Sequence, residues 1–111
     1  MASREFIQSR RFTIRLDNLA GRHAEEVLSQ IENDLLKNPE VGAIVPGTGG
    51  LRKARAADPT RNKGKRGGSR YMYFYVERDG QIFLLLLYNK DEQDDLTTAQ
   101  KKWLRDNWER L

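Results

Sequence analysis

Ser69-Arg70-Tyr71-Met72-Tyr73-Phe74-Tyr75-Val76-Glu77-Arg78, then Asp79-Gly80, then Gln81-Ile82-Phe83-Leu84-Leu85-Leu86-Leu87-Tyr88 is the stretch that decides the fold. Its first part is rich in the aromatic and β-branched residues that suit a pleated surface. Asp79-Gly80 is the dipeptide of two-residue hairpin turns. The run Ile82 to Leu87 is apolar at both parities, as in a strand covered on both faces. The stretch therefore predicts an antiparallel hairpin whose second strand lies inside a sheet and carries other elements on both sides.

Working outward, Thr97 followed three residues later by Gln100 forms a capping box. It opens a helix with Ala99, Trp103, Leu104, Trp108 and Leu111 at helical spacing. Both tryptophans read as core or interface anchors. Upstream, Leu51 to Ala57 reads as a strand, preceded by a glycine-rich loop over Val41 to Gly50. That loop lacks the Gly-Lys-Ser/Thr ending of a nucleotide-binding P-loop, so a turn is expected there. Ala24, Val27, Leu28, Ile31 and Leu35 mark one face of a helix that ends at Asn38, because Pro39 disfavours helical geometry in the residue before it. Phe12, Leu16 and Leu19 mark a shorter helix capped by Ser9 and stopped at Gly21. Glu5 to Gln8, where Phe6 and Ile7 sit among polar residues, reads as a short first strand. The order is strand, two helices, three antiparallel strands and a final helix, an α+β class with helices on an antiparallel sheet.

The 111 residues make one domain, 1–111, large enough to bury a real core. With no cysteine, disulfide scaffolds and thiolate metal sites are excluded. The longest wholly apolar run is far short of the ~20 residues that span a bilayer. The opening Met1-Ala2-Ser3-Arg4-Glu5-Phe6 carries no apolar secretory stretch, so a cytoplasmic protein is expected. His23, the one histidine, reads as a surface residue, and a two-histidine ribonuclease arrangement is impossible. The acidic group Asp91 to Asp95 precedes a helix, where negative charge favours the positive end of the dipole. Neither a metal nor a cofactor is expected.

The charge is lopsided. Residues 1 to 50 hold six basic and seven acidic side chains, whereas residues 51 to 90 hold ten and three. Arg52, Lys53, Arg55, Arg61, Lys63, Lys65, Arg66 and Arg70 are opposed only by Asp58 between 52 and 70. This block adjoins two strands, which points to a functional anion-binding face rather than a solvated tail. Side chains alternate across a sheet, so Lys53 and Arg55 share a face; Arg70 is positioned to come alongside, and Tyr88 and Lys90 share a parity on the last strand. Guanidinium groups pair with phosphate oxygens, and clustered positive charge moves a lysine towards base-competent pKa values. Such a cluster suits attack of a ribose 2′-hydroxyl on its own phosphate.

Asn38-Pro39, Val41-Gly42, Pro46-Gly47-Thr48-Gly49-Gly50-Leu51-Arg52-Lys53, Arg66-Gly67-Gly68-Ser69-Arg70, Leu87-Tyr88-Asn89-Lys90 and Asp94-Asp95-Leu96-Thr97 together resemble the RelE/HigB superfamily of toxins from bacterial type II toxin-antitoxin systems, nearest its HigB-like branch. The resemblance implies helices on a curved antiparallel sheet and a metal-independent, ribosome-dependent endoribonuclease that cuts translated mRNA. It also implies neutralisation by a cognate, HigA-like antitoxin, with a DNA-binding domain in the expected form. Lys53, Arg55, Arg70 and Lys90 match the family's basic catalytic positions. Arg52, Arg61, Lys63, Lys65, Arg66 and Tyr88 are the expected RNA contacts. Asp91 stands where RelE proteins have an arginine, and Thr97 where they have a catalytic tyrosine. Clamping and acid roles then pass to Arg66, Lys65 or Tyr88, or catalysis is weaker. A non-catalytic RNA- or ribosome-binding module and an interaction protein holding an acidic partner are the alternatives.

Overall fold

Ser9 joins the first two elements and ties both to the sheet. Its hydroxyl accepts the Phe12 N–H at 2.9 Å, capping helix α1 (Arg10–Ala20), and donates to the Leu85 carbonyl at 2.7 Å. The computed structural model describes residues 4–56, 68–89, 92 and 96–110. Before α1 runs strand β1 (Glu5–Gln8). After it, Gly21 adopts φ 52° and ends the helix as expected. Helix α2 (Ala24–Lys37) stops at Asn38, whose backbone is extended ahead of Pro39.

Strands β2 (Ala43–Ile44), β3 (Arg52–Ala56), β4 (Ser69–Val76) and β5 (Gln81–Asn89) complete a five-stranded sheet of order β1-β5-β4-β3-β2. The expected central position of β5 holds: it lies between β4 and β1 and is covered on both faces. Three details differ from the expectation. The sheet is antiparallel except at β1, which pairs parallel to β5. The Val41–Gly50 loop contains the short edge strand β2, which turns back into β3 through a buried Thr48; its hydroxyl donates to the Val45 carbonyl and accepts the Leu51 N–H. The β4–β5 connection is not a two-residue turn. Val76 pairs with Gln81, leaving a four-residue loop of a 3-10 turn at Glu77–Asp79 and a left-handed Gly80.

One face of the sheet, with Tyr71, Tyr73, Ala56, Ile82, Leu84 and Leu87, packs under α1 and α2 through Phe12, Leu16, Val27, Ile31 and Leu35. The opposite face carries Leu51, Met72, Phe74 and Leu85. A bulge between Met72 and Tyr73 lets the consecutive residues Leu85 and Leu86 join this second face. Helix α3 (Thr98–Asn107) covers part of it through Leu104 and is opened by the expected capping box: Gln100 N–H donates to Thr97, and Thr97 N–H donates to Gln100. Trp108, in the 3-10 turn that follows, stacks on Phe74 at 4.7 Å and meets the edge of Phe83 at 4.9 Å. Of the two expected roles, core or interface anchor, Trp103 does not fill the first, being 49% exposed, and Ala99 is also on the surface. Among the described residues no helix is long and apolar enough to cross a membrane.

Candidate nucleic-acid interface

The register of three adjacent strands builds the site. Arg55 on β3 lies directly opposite Arg70 on β4, and Arg70 lies opposite Tyr88 on β5. The next row on the same face runs Lys53, Met72, Leu86. Opposed residues have Cβ atoms roughly 4.5–5.5 Å apart, so the two guanidinium groups rise from neighbouring positions. Like charges directly opposite each other destabilise a sheet. A register that sets two arginines side by side therefore carries a repulsive contribution, which an anion bound between them would offset.

The surroundings of each residue differ. Arg55 is exposed and makes no ion pair among the described residues. Arg70 is half-buried, with its guanidinium 3.3 Å and 3.4 Å from the carbonyls of Gly68 and Ser69. Lys53 is half-buried and borders the cavities on both sides of the sheet edge. Tyr88 forms part of the floor; its ring packs in the second core, and its hydroxyl is shielded from solvent.

Arg52 does not join this row. It pairs with Tyr73 on the helix-covered face, and its guanidinium donates to the Gly42 and Glu40 carbonyls at 2.7 Å and 3.2 Å, with the Glu40 carboxylate at 3.7 Å. Tyr73 supports the same loop by donating to the Pro39 carbonyl at 2.8 Å and accepting the Gly42 N–H at 3.0 Å. Arg52 thus holds the segment that carries β2 and, through it, the edge beside Lys53. Arg61, Lys63, Lys65, Arg66 and Lys90 lie outside the described residues. Thr97 is committed to capping α3. His23 sits half-exposed at the start of α2, 3.4 Å from Glu26.

Helix α1 supplies what the strand pattern did not reveal. Arg11, Ile14 and Arg15 line a cleft of about 450 Å³ with Met72, Leu86 and Tyr88. Arg15 donates to the Leu87 carbonyl at 3.2 Å and pairs with Glu92, which also accepts the Asn89 N–H. The sequence signal was present as Arg11 and Arg15 at helical spacing, but only the packing of α1 along β5 turns them towards the basic row. The face thus combines guanidinium groups for phosphate with an apolar shelf beside them.

A cavity of about 480 Å³ wraps the outer edge of β3, lined by residues including Asp34, Lys53, Arg55, Arg70 and Tyr71. The Tyr71 hydroxyl is buried and has no hydrogen-bond partner among the described residues. Burial, then the neighbouring Tyr73, then Asp34 push its pKa far above the ordinary phenol value. Tyr71 is consequently a neutral core group rather than a proton donor or acceptor for the face.

No family model matches the chain. Solved structures do. The isolated E. coli RelE toxin aligns with a TM-score of 0.59 at 14% identity, over 83% of this chain and 89% of that one. The RelBE2 toxin-antitoxin complex from Mycobacterium tuberculosis aligns with a TM-score of 0.61 at 17% identity, over 83% and 97%. The archaeal RelE-RelB complex from Pyrococcus horikoshii aligns with a TM-score of 0.56 at 20% identity, over 83% and 100%. The chain has the fold of the RelE toxins.

Proposed function

We propose that this protein is the toxin of a type II toxin-antitoxin pair and acts in the cytoplasm as a metal-independent endoribonuclease on ribosome-bound mRNA. The observation that carries this reading is the Arg55–Arg70–Tyr88 row with Lys53 beside it, on the face that α3 leaves partly open. In the proposed reaction the ribose 2′-oxygen bonds to the adjacent phosphorus and the bond from phosphorus to the 5′-oxygen breaks. This leaves a 2′,3′-cyclic phosphate and a 5′-hydroxyl. Lys53 or Lys90 takes the 2′-hydroxyl proton or acts as electrostatic partner, and Lys65 or Tyr88 gives a proton to the leaving 5′-oxygen. Arg55 and Arg70 neutralise the charge on the phosphorane, where guanidinium forks are worth most. Arg61, Lys63, Lys65 and Arg66 grip ribosomal RNA, and a HigA-like antitoxin neutralises the protein by direct binding.

Induction from a tightly repressed promoter, followed by mapping of mRNA 5′ ends, tests the reading. The expected result is new 5′-hydroxyl ends within translated frames that vanish with Arg70→Ala. Unchanged cleavage by Arg70→Ala would overturn the assignment of the face. A second reading, an RNA-binding module without cleavage, is favoured by Thr97: its side chain caps a helix where RelE proteins are expected to carry a catalytic tyrosine. Folded protein that binds RNA and yields no new ends would establish that reading instead.

A further inference from the structure

Of the two tryptophans, Trp108 is consumed by packing and Trp103 is not. Trp103 borders a cavity of about 160 Å³ together with Arg11, Leu86, Leu96, Gln100 and Leu104. Leu86, Leu96 and Arg11 also line the larger cleft that contains Tyr88, so the small cavity opens beside the basic row. Leu86 lies two residues along β5 from Tyr88, a rise of roughly 6.5 Å. A base next to a phosphate held at the Arg55–Arg70 pair is within reach of it.

The polar groups here have one sign of hydrogen-bonding character. Arg11 is exposed, makes no ion pair among the described residues, and offers only donors. The Gln100 side-chain oxygen is already taken by the Thr97 N–H at 2.9 Å, which leaves its amide NH2 to project donors. The indole of Trp103 adds one more N–H and a face for stacking. Apolar walls, an aromatic face and, among the described lining side chains, donors without a free acceptor fit a splayed nucleobase whose edge carries acceptors. Guanine presents O6 and N7, and uracil O4, whereas the amino groups of adenine and cytosine meet donors with donors.

We propose that Trp103, Arg11 and Gln100 form a base pocket that selects keto bases, guanine or uracil, in the RNA strand whose phosphate lies at Arg55 and Arg70. This rests on the RNA-binding reading above and adds the residues that set its base preference. A protein partner would fill the same apolar walls and meet these donors with carboxylates or carbonyls, but the continuity of this cavity with the cleft beside the Arg55–Arg70–Tyr88 row favours a nucleobase.

Fluorescence anisotropy of the full chain with labelled 2′-O-methyl oligonucleotides of equal length, which resist 2′-hydroxyl cleavage, provides the test. Oligo(U) and alternating oligo(UG) are expected to bind roughly five- to hundredfold tighter than oligo(A) and oligo(C), the range for one good edge contact. Arg11→Gln should collapse that ratio, and Trp103→Ala should weaken the keto-base ligands with oligo(C) near its wild-type affinity. Trp103→Phe, which keeps an aromatic face, should restore most of the preference and guards against a folding defect in the alanine variant. Arg70→Ala should weaken all four ligands and keep the ratio. Equal affinity of the wild-type chain for all four ligands overturns the base pocket and spares the RNA-binding reading. So does a ratio untouched by Arg11→Gln, or a uniform loss in both Trp103 variants. Absence of any RNA binding overturns the base pocket and the binding-module reading, and the mapping of mRNA 5′ ends then decides the ribosome-dependent reading.

Discussion

Placing Arg55 opposite Arg70 makes a prediction that separates function from stability. Arg55→Gln keeps a polar side chain with the first two methylenes of the stem, is shorter than arginine, and removes its charge. Cross-strand pairs are worth about 0.2–1 kcal/mol, and like charges directly opposite are unfavourable. Two unit charges about 6 Å apart in water repel by about 0.7 kcal/mol. Both routes give a gain of about 0.5 kcal/mol for the variant at low salt. For a domain of this size, 1 kcal/mol shifts Tm by roughly 4–8 °C, so the melting temperature should rise by about 2–4 °C. The gain should shrink as the Debye length falls to about 3 Å in 1 M salt. RNA affinity should fall in the same variant, with a salt dependence shallower by about one phosphate contact. Thermal melts by circular dichroism at low and high salt, with anisotropy on the same samples, read all of this. A variant that is less stable than wild type at low salt, or equally stabilised at every salt concentration, would refute the argument that the register carries an electrostatic cost retained for ligand binding.

Two further outcomes follow from buried groups. Ser9→Ala removes the cap of α1 and orphans the Leu85 carbonyl, and should cost about 2 kcal/mol in chemical unfolding, the sum of about 1 kcal/mol for each loss. Ser9→Thr should recover at least half. Tyr71→Phe deletes a buried hydroxyl that has no partner among the described residues, so stability at pH 7 should hold or rise by about 1 kcal/mol. In the wild-type chain this phenol's folded-state pKa is raised, chiefly by burial. The stabilisation is therefore complete below the unfolded value near 10 and is lost as pH rises beyond it. Alkaline unfolding should accordingly move to higher pH in Tyr71→Phe, and an unchanged midpoint would show that Tyr71 is not the group involved.

Legibility in the sequence followed how local each signal was. Ser9, Gly21, Asn38-Pro39 and the Thr97–Gln100 box act within a few residues, and each helix end they marked stands where they placed it. The apolar run of β5 announced a strand covered on both faces because burial on each side leaves no polar parity. Register was not legible, since it depends on the bulge at Met72/Tyr73, and a one-residue slip exchanges the two faces of a strand. Between β3 and β4 sequence parity grouped Lys53 with Arg55 and expected Arg70 alongside, but the pairing that puts Arg70 opposite Arg55 and Met72 opposite Lys53 is set by register rather than parity. Arg52 shows the limit most clearly. Its charge matched its neighbours, yet alternation put it on the covered face, where loop carbonyls and Glu40 occupy it. Arg11 and Trp103 were hidden for the converse reason: one belongs to a helix outside the basic block, and the other occupied a position in an apolar stripe that, by spacing alone, reads as core. Exposure is a property of how α3 seats on the sheet, and Leu104 with Trp108 fills the core contact there, so of the core and interface roles open to Trp103 only the second is left. Composition thus located the basic face proposed to bind phosphate, while the residues proposed to read the base emerged only from the packing of α1 and α3 around β5.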